Sequence, residues 1–138
     1  MFQFFRRKKP SLEKSSALYN DIGQAAIEQI GEVETKVLVY AEYIDDVMRS
    51  FVRHATHESK VVDSLADTDR VNEAIWNLLA YLERTSQKHV WKSMEYVVDY
   101  GQVDATLLYE HPFAGTELSL WEKSPKLLEK HFPGKPHR

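Results

Sequence analysis

The longest regular pattern in the chain is an alternation of apolar and polar side chains from Lys92 to Glu110, KSMEYVVDYGQVDATLLYE. It predicts two strands joined by a two-residue turn at Tyr100-Gly101, where Gly101 supplies the positive φ that primed hairpin turns require. The turn sets a register in which Val98 faces Val103, Tyr96 faces Ala105 and Met94 faces Leu107. All three pairs are apolar and lie on one face. The opposite face collects Glu95, Val97, Asp99, Gln102, Asp104, Thr106, Leu108 and Glu110. A slip of one residue would bury those acids and expose the apolar set, so the alternation specifies its own pairing. On residue types alone, the acids describe an ordinary solvated sheet face.

The same reading extends to the rest of the chain. Pro10 closes an opening arm, and Ser11 is positioned to cap a helix reaching to about Ile30. Leu18, Ile22, Ala25, Ala26 and Gln29 recur at helical spacing, and Gly31 stands where a C-terminal cap is expected. KVLVYAEYIDDVMRSFVRH, Lys36 to His54, predicts a second hairpin turning at Asp45-Asp46. There Tyr43 faces Met48, Val39 faces Val52, Tyr40 faces Phe51, and Glu42 pairs with Arg49. A short third strand is expected near Ser59 to Ser64. Asp69 then caps a helix with a stripe of Val71, Ile75, Leu78, Leu79 and Leu82, widened by Trp76 and Tyr81. That helix ends near Ser86. His111-Pro112 stops the last strand, since proline cannot donate to the ladder. A final helix from about Glu117 to His131 carries Leu118, Trp121, Leu127 and Leu128, with Pro125 expected to break or restart it.

The predicted order is therefore α-β-β-(β)-α-β-β-α. It describes an α+β domain with an antiparallel sheet of about five strands and helices over one face. Residues 1–10 read as a flexible basic and aromatic arm, 11–132 as one domain, and 133–138 as a loose tail.

Composition narrows the function. At 138 residues with 43% apolar side chains, the chain can build one core. Its net charge of −3 lacks the basic excess of a nucleic-acid binder. The absence of cysteine excludes disulfides and thiol chemistry, and a reducing, cytoplasmic setting is expected. No apolar run approaches the roughly 20 residues of a membrane span. There is no GxSxG elbow, P-loop, dinucleotide fingerprint or HExxH, so no enzymatic activity, cofactor or metal is expected. Of the six histidines, His54 and His57 lie closest together, and they read as surface residues. Parity places Trp91 with Glu95 and Asp99 on the outer face. An exposed aromatic beside acids is the composition of an interface anchor with its rim. The candidate partner-binding set is thus Trp91, Glu95, Asp99, Asp104 and Glu110, with Asp45 and Asp46 as a second patch.

Several stretches together carry a family resemblance: LYNDIG (Leu18 to Gly23), VYAEY (Val39 to Tyr43), the Trp76 helix and VWKSMEYVVDYGQVDATLLYE (Val90 to Glu110). They resemble the YezG-like immunity proteins, bacterial antitoxins encoded beside polymorphic or contact-delivered toxins. The resemblance covers roughly Leu18 to Glu110. The FFRRKK arm and the LWEKSPKLLEKHFPGKPHR end depart from the pattern. The resemblance implies an α+β fold, no catalysis, and neutralisation of a toxin C-terminal domain, often a nuclease, by stoichiometric binding as a monomer or weak dimer. An acidic sheet face suits the basic groove of a nuclease. The alternative is a type III secretion-type chaperone, a homodimer that holds an unfolded effector segment along apolar grooves.

Overall fold

Hairpins of alternating residues need a partner layer for their apolar faces, and here two helices supply it. A computed structural model describes residues 9–31, 34–85, 90–110 and 120–136. The order is α1 (Lys9–Ile30), β1 (Lys36–Ile44), β2 (Val47–Ala55), β3 (Asp63–Ser64), α2 (Asp69–Thr85), β4 (Ser93–Asp99), β5 (Gln102–Leu108) and α3 (Leu120–His131). The five strands form one antiparallel sheet in the order β3-β2-β1-β4-β5. The fold is α+β, and β4 lies next to the central strand.

Both hairpins take the expected register. Val98 pairs with Val103, Tyr96 with Ala105 and Met94 with Leu107. In the first hairpin Tyr40 pairs with Phe51, Glu42 with Arg49 and Tyr43 with Met48. Tyr100 and Gly101 have φ of 50° and 88°, and Asp45 and Asp46 have φ of 54° and 63°. Positive φ at both central residues is the backbone of the turn that matches strand twist. The second turn achieves it without glycine.

The main core lies between α1, α2 and one sheet face. It joins Tyr19, Ile22 and Ala26 of α1 and Ile75, Leu78 and Leu79 of α2 to Val39, Met94 and Tyr96 of the sheet. Gly23 belongs to this layer because a side chain there would meet the Tyr96 hydroxyl at 2.7 Å. That hydroxyl donates to the Tyr19 carbonyl at 2.7 Å, and the Trp91 indole donates to the Tyr19 hydroxyl at 3.1 Å. Burial drives the Tyr19 phenol pKa up, against the Trp91 hydrogen bond. The helix α1 starts at Lys9, so Pro10 sits in its first turn, where its missing N–H is no loss. Gly31 closes α1 with φ of 81° and donates to the Ile27 carbonyl.

Two expectations are corrected. Helices do not cover one face alone: α3 lies on the opposite face, where Leu127, Leu128 and Phe132 pack on Leu38, Tyr40 and Phe51. Helix α3 also runs through Pro125 without breaking. In the second turn of α3 the proline forfeits its own ladder bond, and packing of Leu127, Leu128 and Phe132 holds the helix that follows. The last described residues also touch the domain. Phe132 is buried, the Pro136 carbonyl accepts from Val62 N–H at 2.8 Å, and Lys135 Nζ donates to the Thr56 carbonyl at 2.8 Å. The expected third strand is reduced to the two residues of β3. The arm up to Lys8, the His111-Pro112 stop and Leu118 lie outside the described residues, as does the Trp121 side chain.

Candidate functional site

The sequence-predicted site residues separate into three places. Glu95 is beneath α3 and only 8% exposed. Its Oε1 meets Lys130 Nζ at 2.8 Å and His131 Nε2 at 2.7 Å. The His131 hydrogen bond, followed by Lys130, holds the Glu95 carboxyl below the usual carboxylate range despite its burial. Lys36 Nζ completes this clamp by donating to the His131 carbonyl at 2.6 Å. Glu95 is therefore a docking point for α3 and no part of an open surface, which corrects its expected role. The neighbouring Tyr40 hydroxyl donates to Glu42 Oε1 at 2.8 Å, so this polar seam runs along β1 as well.

Asp99 and Asp104 are exposed beside the Tyr100-Gly101 turn. His57 stacks on the Tyr100 ring at 4.2 Å and 8°, bracing that turn from the side of β2. Asp45, Asp46 and Glu110 are also exposed, but Asp45 and Asp46 lie at the other end of the sheet. The seven residues of β4, Ser93 to Asp99, separate the two ends by about 20 Å. The hairpin acids and the Asp45-Asp46 acids are two surfaces, not one.

Trp91 is 1% exposed and belongs to the α1–α2 core, which overturns its reading as an exposed anchor. The cause is local. Ser93 pairs with Leu108, yet Lys92 N–H also donates to the Leu108 carbonyl at 2.7 Å. Two successive residues thus oppose one, as in a β-bulge, and parity is lost just before Trp91. The indole turns to the core face, where Tyr19 satisfies its N–H.

This bulge helps to shape a cleft of about 650 Å³ lined by Tyr43, Asp45, Asp46, Glu83, Val90, Trp91, Lys92 and Tyr109. The Tyr43 hydroxyl hydrogen-bonds to Glu83 and lies 3.3 Å from Asp46 Oδ1. The Glu83 bond, then burial, raises the Tyr43 phenol pKa. One phenolic proton serves only one carboxylate at a time, so the other faces the cleft unbonded by Tyr43. Three carboxylates there outweigh one lysine. Trp76 stands over Tyr43 edge-on at 5.9 Å and is 44% exposed, while Tyr109 is 49% exposed. Trp76 was expected to widen the helix stripe; it is exposed against Tyr43 instead, because it sits a full 100° beyond Ile75. Sequence reading also missed Glu83. The signal was present in the seven-residue spacing of Trp76 and Glu83, which puts both on one helix face.

Carboxylates beside exposed aromatic rings suit a guanidinium or ammonium group, by ion pairing and by cation–π contact. They do not form a metal site: no group of three or more His, Asp or Glu among the described residues is arranged to hold an ion. The carboxyls of Glu28 and Glu95 are both held below their ordinary range, Glu28 first by its Gln24 hydrogen bond and Glu95 first by its His131 hydrogen bond. That is the direction of paired structural acids, opposite to a general acid. No helix among the described residues is long and apolar enough to cross a membrane. No protein-family model matches the chain, and no curated protein matches its sequence.

Proposed function

We propose that this protein is an immunity protein of the YezG-like kind, which neutralises a basic toxin domain, a nuclease, by stoichiometric contact through the acidic cleft. The supporting observation is the turn that carries two of the cleft acids. Asp45 and Asp46 both hold positive φ, at 54° and 63°. Glycine and asparagine are the least costly residues in such turns, and a carboxylate brings no conformational advantage over them. Two adjacent like charges add repulsion. A chain that keeps both acids there, over an aromatic-lined cleft, is spending stability on surface charge. Encounter with a basic domain gives that charge a use, since complementary fields accelerate association.

The test is binding kinetics against the toxin domain encoded beside this protein, at low and high salt. Asp45→Asn with Asp46→Asn keeps a residue suited to positive φ and removes only the charge. The double variant should associate about tenfold more slowly at low salt, with the gap closing as salt screens the wild type. An unchanged on-rate in a folded variant would refute the cleft as the docking surface. Binding of an extended peptide in preference to a folded domain would favour a secretion chaperone instead.

A further inference from the structure

The two edges of the sheet are finished very differently. On one side β3 has only two residues, and Val62 beside it is tied to Pro136, so that edge is short and covered. On the other side β5 is seven residues long, and no described residue pairs with its outer edge. It contains no proline and no lysine, and its one charge is Asp104. Sheet edges are normally blunted by such residues or by bulges, because unpaired N–H and C=O groups recruit another strand.

The hydrogen-bonding parity of β5 is known from its turn. Asp99 and Gln102 close a two-residue loop, and such a closing pair is hydrogen-bonded inward. By alternation, Val103, Ala105 and Leu107 direct their backbone groups outward. Their side chains lie on the core face and are only half-buried at the sheet margin.

We infer that the chain forms a two-fold dimer in which β5 pairs antiparallel with β5 of a second copy about Ala105. This register uses every outward N–H and C=O of the three residues. Ala105 meets Ala105, and Val103 meets Leu107 on both sides, extending the apolar face across the junction. Asp104 falls opposite Thr106. Moving the two-fold by one residue either way would set Asp104 against Asp104 or Thr106 against Thr106, and would present inward-bonded groups. Self-complementarity of charge, side-chain size and bonding parity thus selects one register, and it joins two five-stranded sheets into one. This inference stands apart from the acidic-cleft reading, since that cleft is built from other residues.

Sedimentation across low-micromolar to near-millimolar protein should show a wild-type mass rising toward twice that of the chain. Ala105→Pro removes an N–H that points away from β4, a position where an edge strand tolerates proline, and should hold the protein monomeric. The absence of native cysteine allows a second, independent measurement. In the inferred pairing the two Ala105 Cα atoms are about 5.5 Å apart, inside the span of a disulfide. Ala105→Cys should therefore cross-link on oxidation, and Gln102→Cys, which faces Leu108 of the other copy, should not. A wild type that stays monomeric overturns the dimer and leaves the edge to a strand of another protein. A dimer that persists in folded Ala105→Pro, or cross-linking by Gln102→Cys as fast as by Ala105→Cys, also overturns it. If Ala105→Pro does not fold, the cysteine pair decides.

Discussion

Gly23→Ala offers a sharp test of how α1 sits on the sheet, because two effects of opposite sign compete there. In an exposed helix interior the change would stabilise by about 1 kcal/mol, the difference in helix propensity between glycine and alanine. At Gly23 the added carbon would lie 2.7 Å from the Tyr96 hydroxyl, 3.2 Å from a Val98 methyl and 3.3 Å from the Tyr96 ring. The hydroxyl cannot swing aside cheaply, since Tyr96 is 0% exposed and donates to the Tyr19 carbonyl at 2.7 Å. Overpacking of this kind costs about 1–3 kcal/mol, and with the hydroxyl pinned the upper half of that range applies. The expected net loss is about 1–2 kcal/mol, at roughly 3–5 °C of melting temperature per kcal/mol. A double-mutant cycle isolates the cause. Tyr96→Phe removes the atom at 2.7 Å and leaves contacts an alanine methyl can share after a small shift, so in that background Gly23→Ala should be near neutral. The coupling should reach about 1–2 kcal/mol in urea melts. A single variant as stable as the wild type, with additive cycles, would refute the close approach of α1 to β4.

Four further outcomes are expected. The lowered pKa of Glu95 means the unfolded chain takes up that proton first, so the stability it contributes is complete above about pH 4.3 and is lost as pH falls through its depressed value. Glu95→Gln should therefore cost about 1–2 kcal/mol at neutral pH and progressively less toward pH 3, and a pH-independent difference in urea melts would sink the pairing with His131 and Lys130. Trp91→Ala should destabilise by about 3–5 kcal/mol in thermal or urea melts, as loss of a core tryptophan, and Trp91→Phe by less; a small loss would return the indole to the surface. Leu79→Ala, at a site 1% exposed, should cost about 2–5 kcal/mol by the same measurement. Asp46→Gly should raise stability by about 1 kcal/mol in urea melts, through relief of the positive-φ strain, and under the proposed function it should also slow association with a basic partner.

Local chemistry determined a large part of this protein. The Tyr100-Gly101 turn, the Asp45-Asp46 turn and both hairpin registers follow from period-two alternation and turn backbone, which are properties of neighbours in the chain. The stripe of α2 and the Gly31 cap of α1 are equally local. Parity, however, holds only while a strand is regular. One extra residue at Lys92 turned Trp91 from the outer face to the core, and only the pairing of β4 with β5 reveals that residue. The fate of the acids was likewise settled at long range. Glu95 and Asp99 share a strand face, yet Glu95 is buried under α3, whose Lys130 and His131 lie 35 and 36 residues away in sequence, while Asp99 stays in water. The cleft is the clearest case of all. Glu83 is 40 residues from Tyr43, and nothing in either segment states that they meet. Which face of a strand a residue occupies is decided by its neighbours, but what covers that face is decided by where the rest of the chain packs.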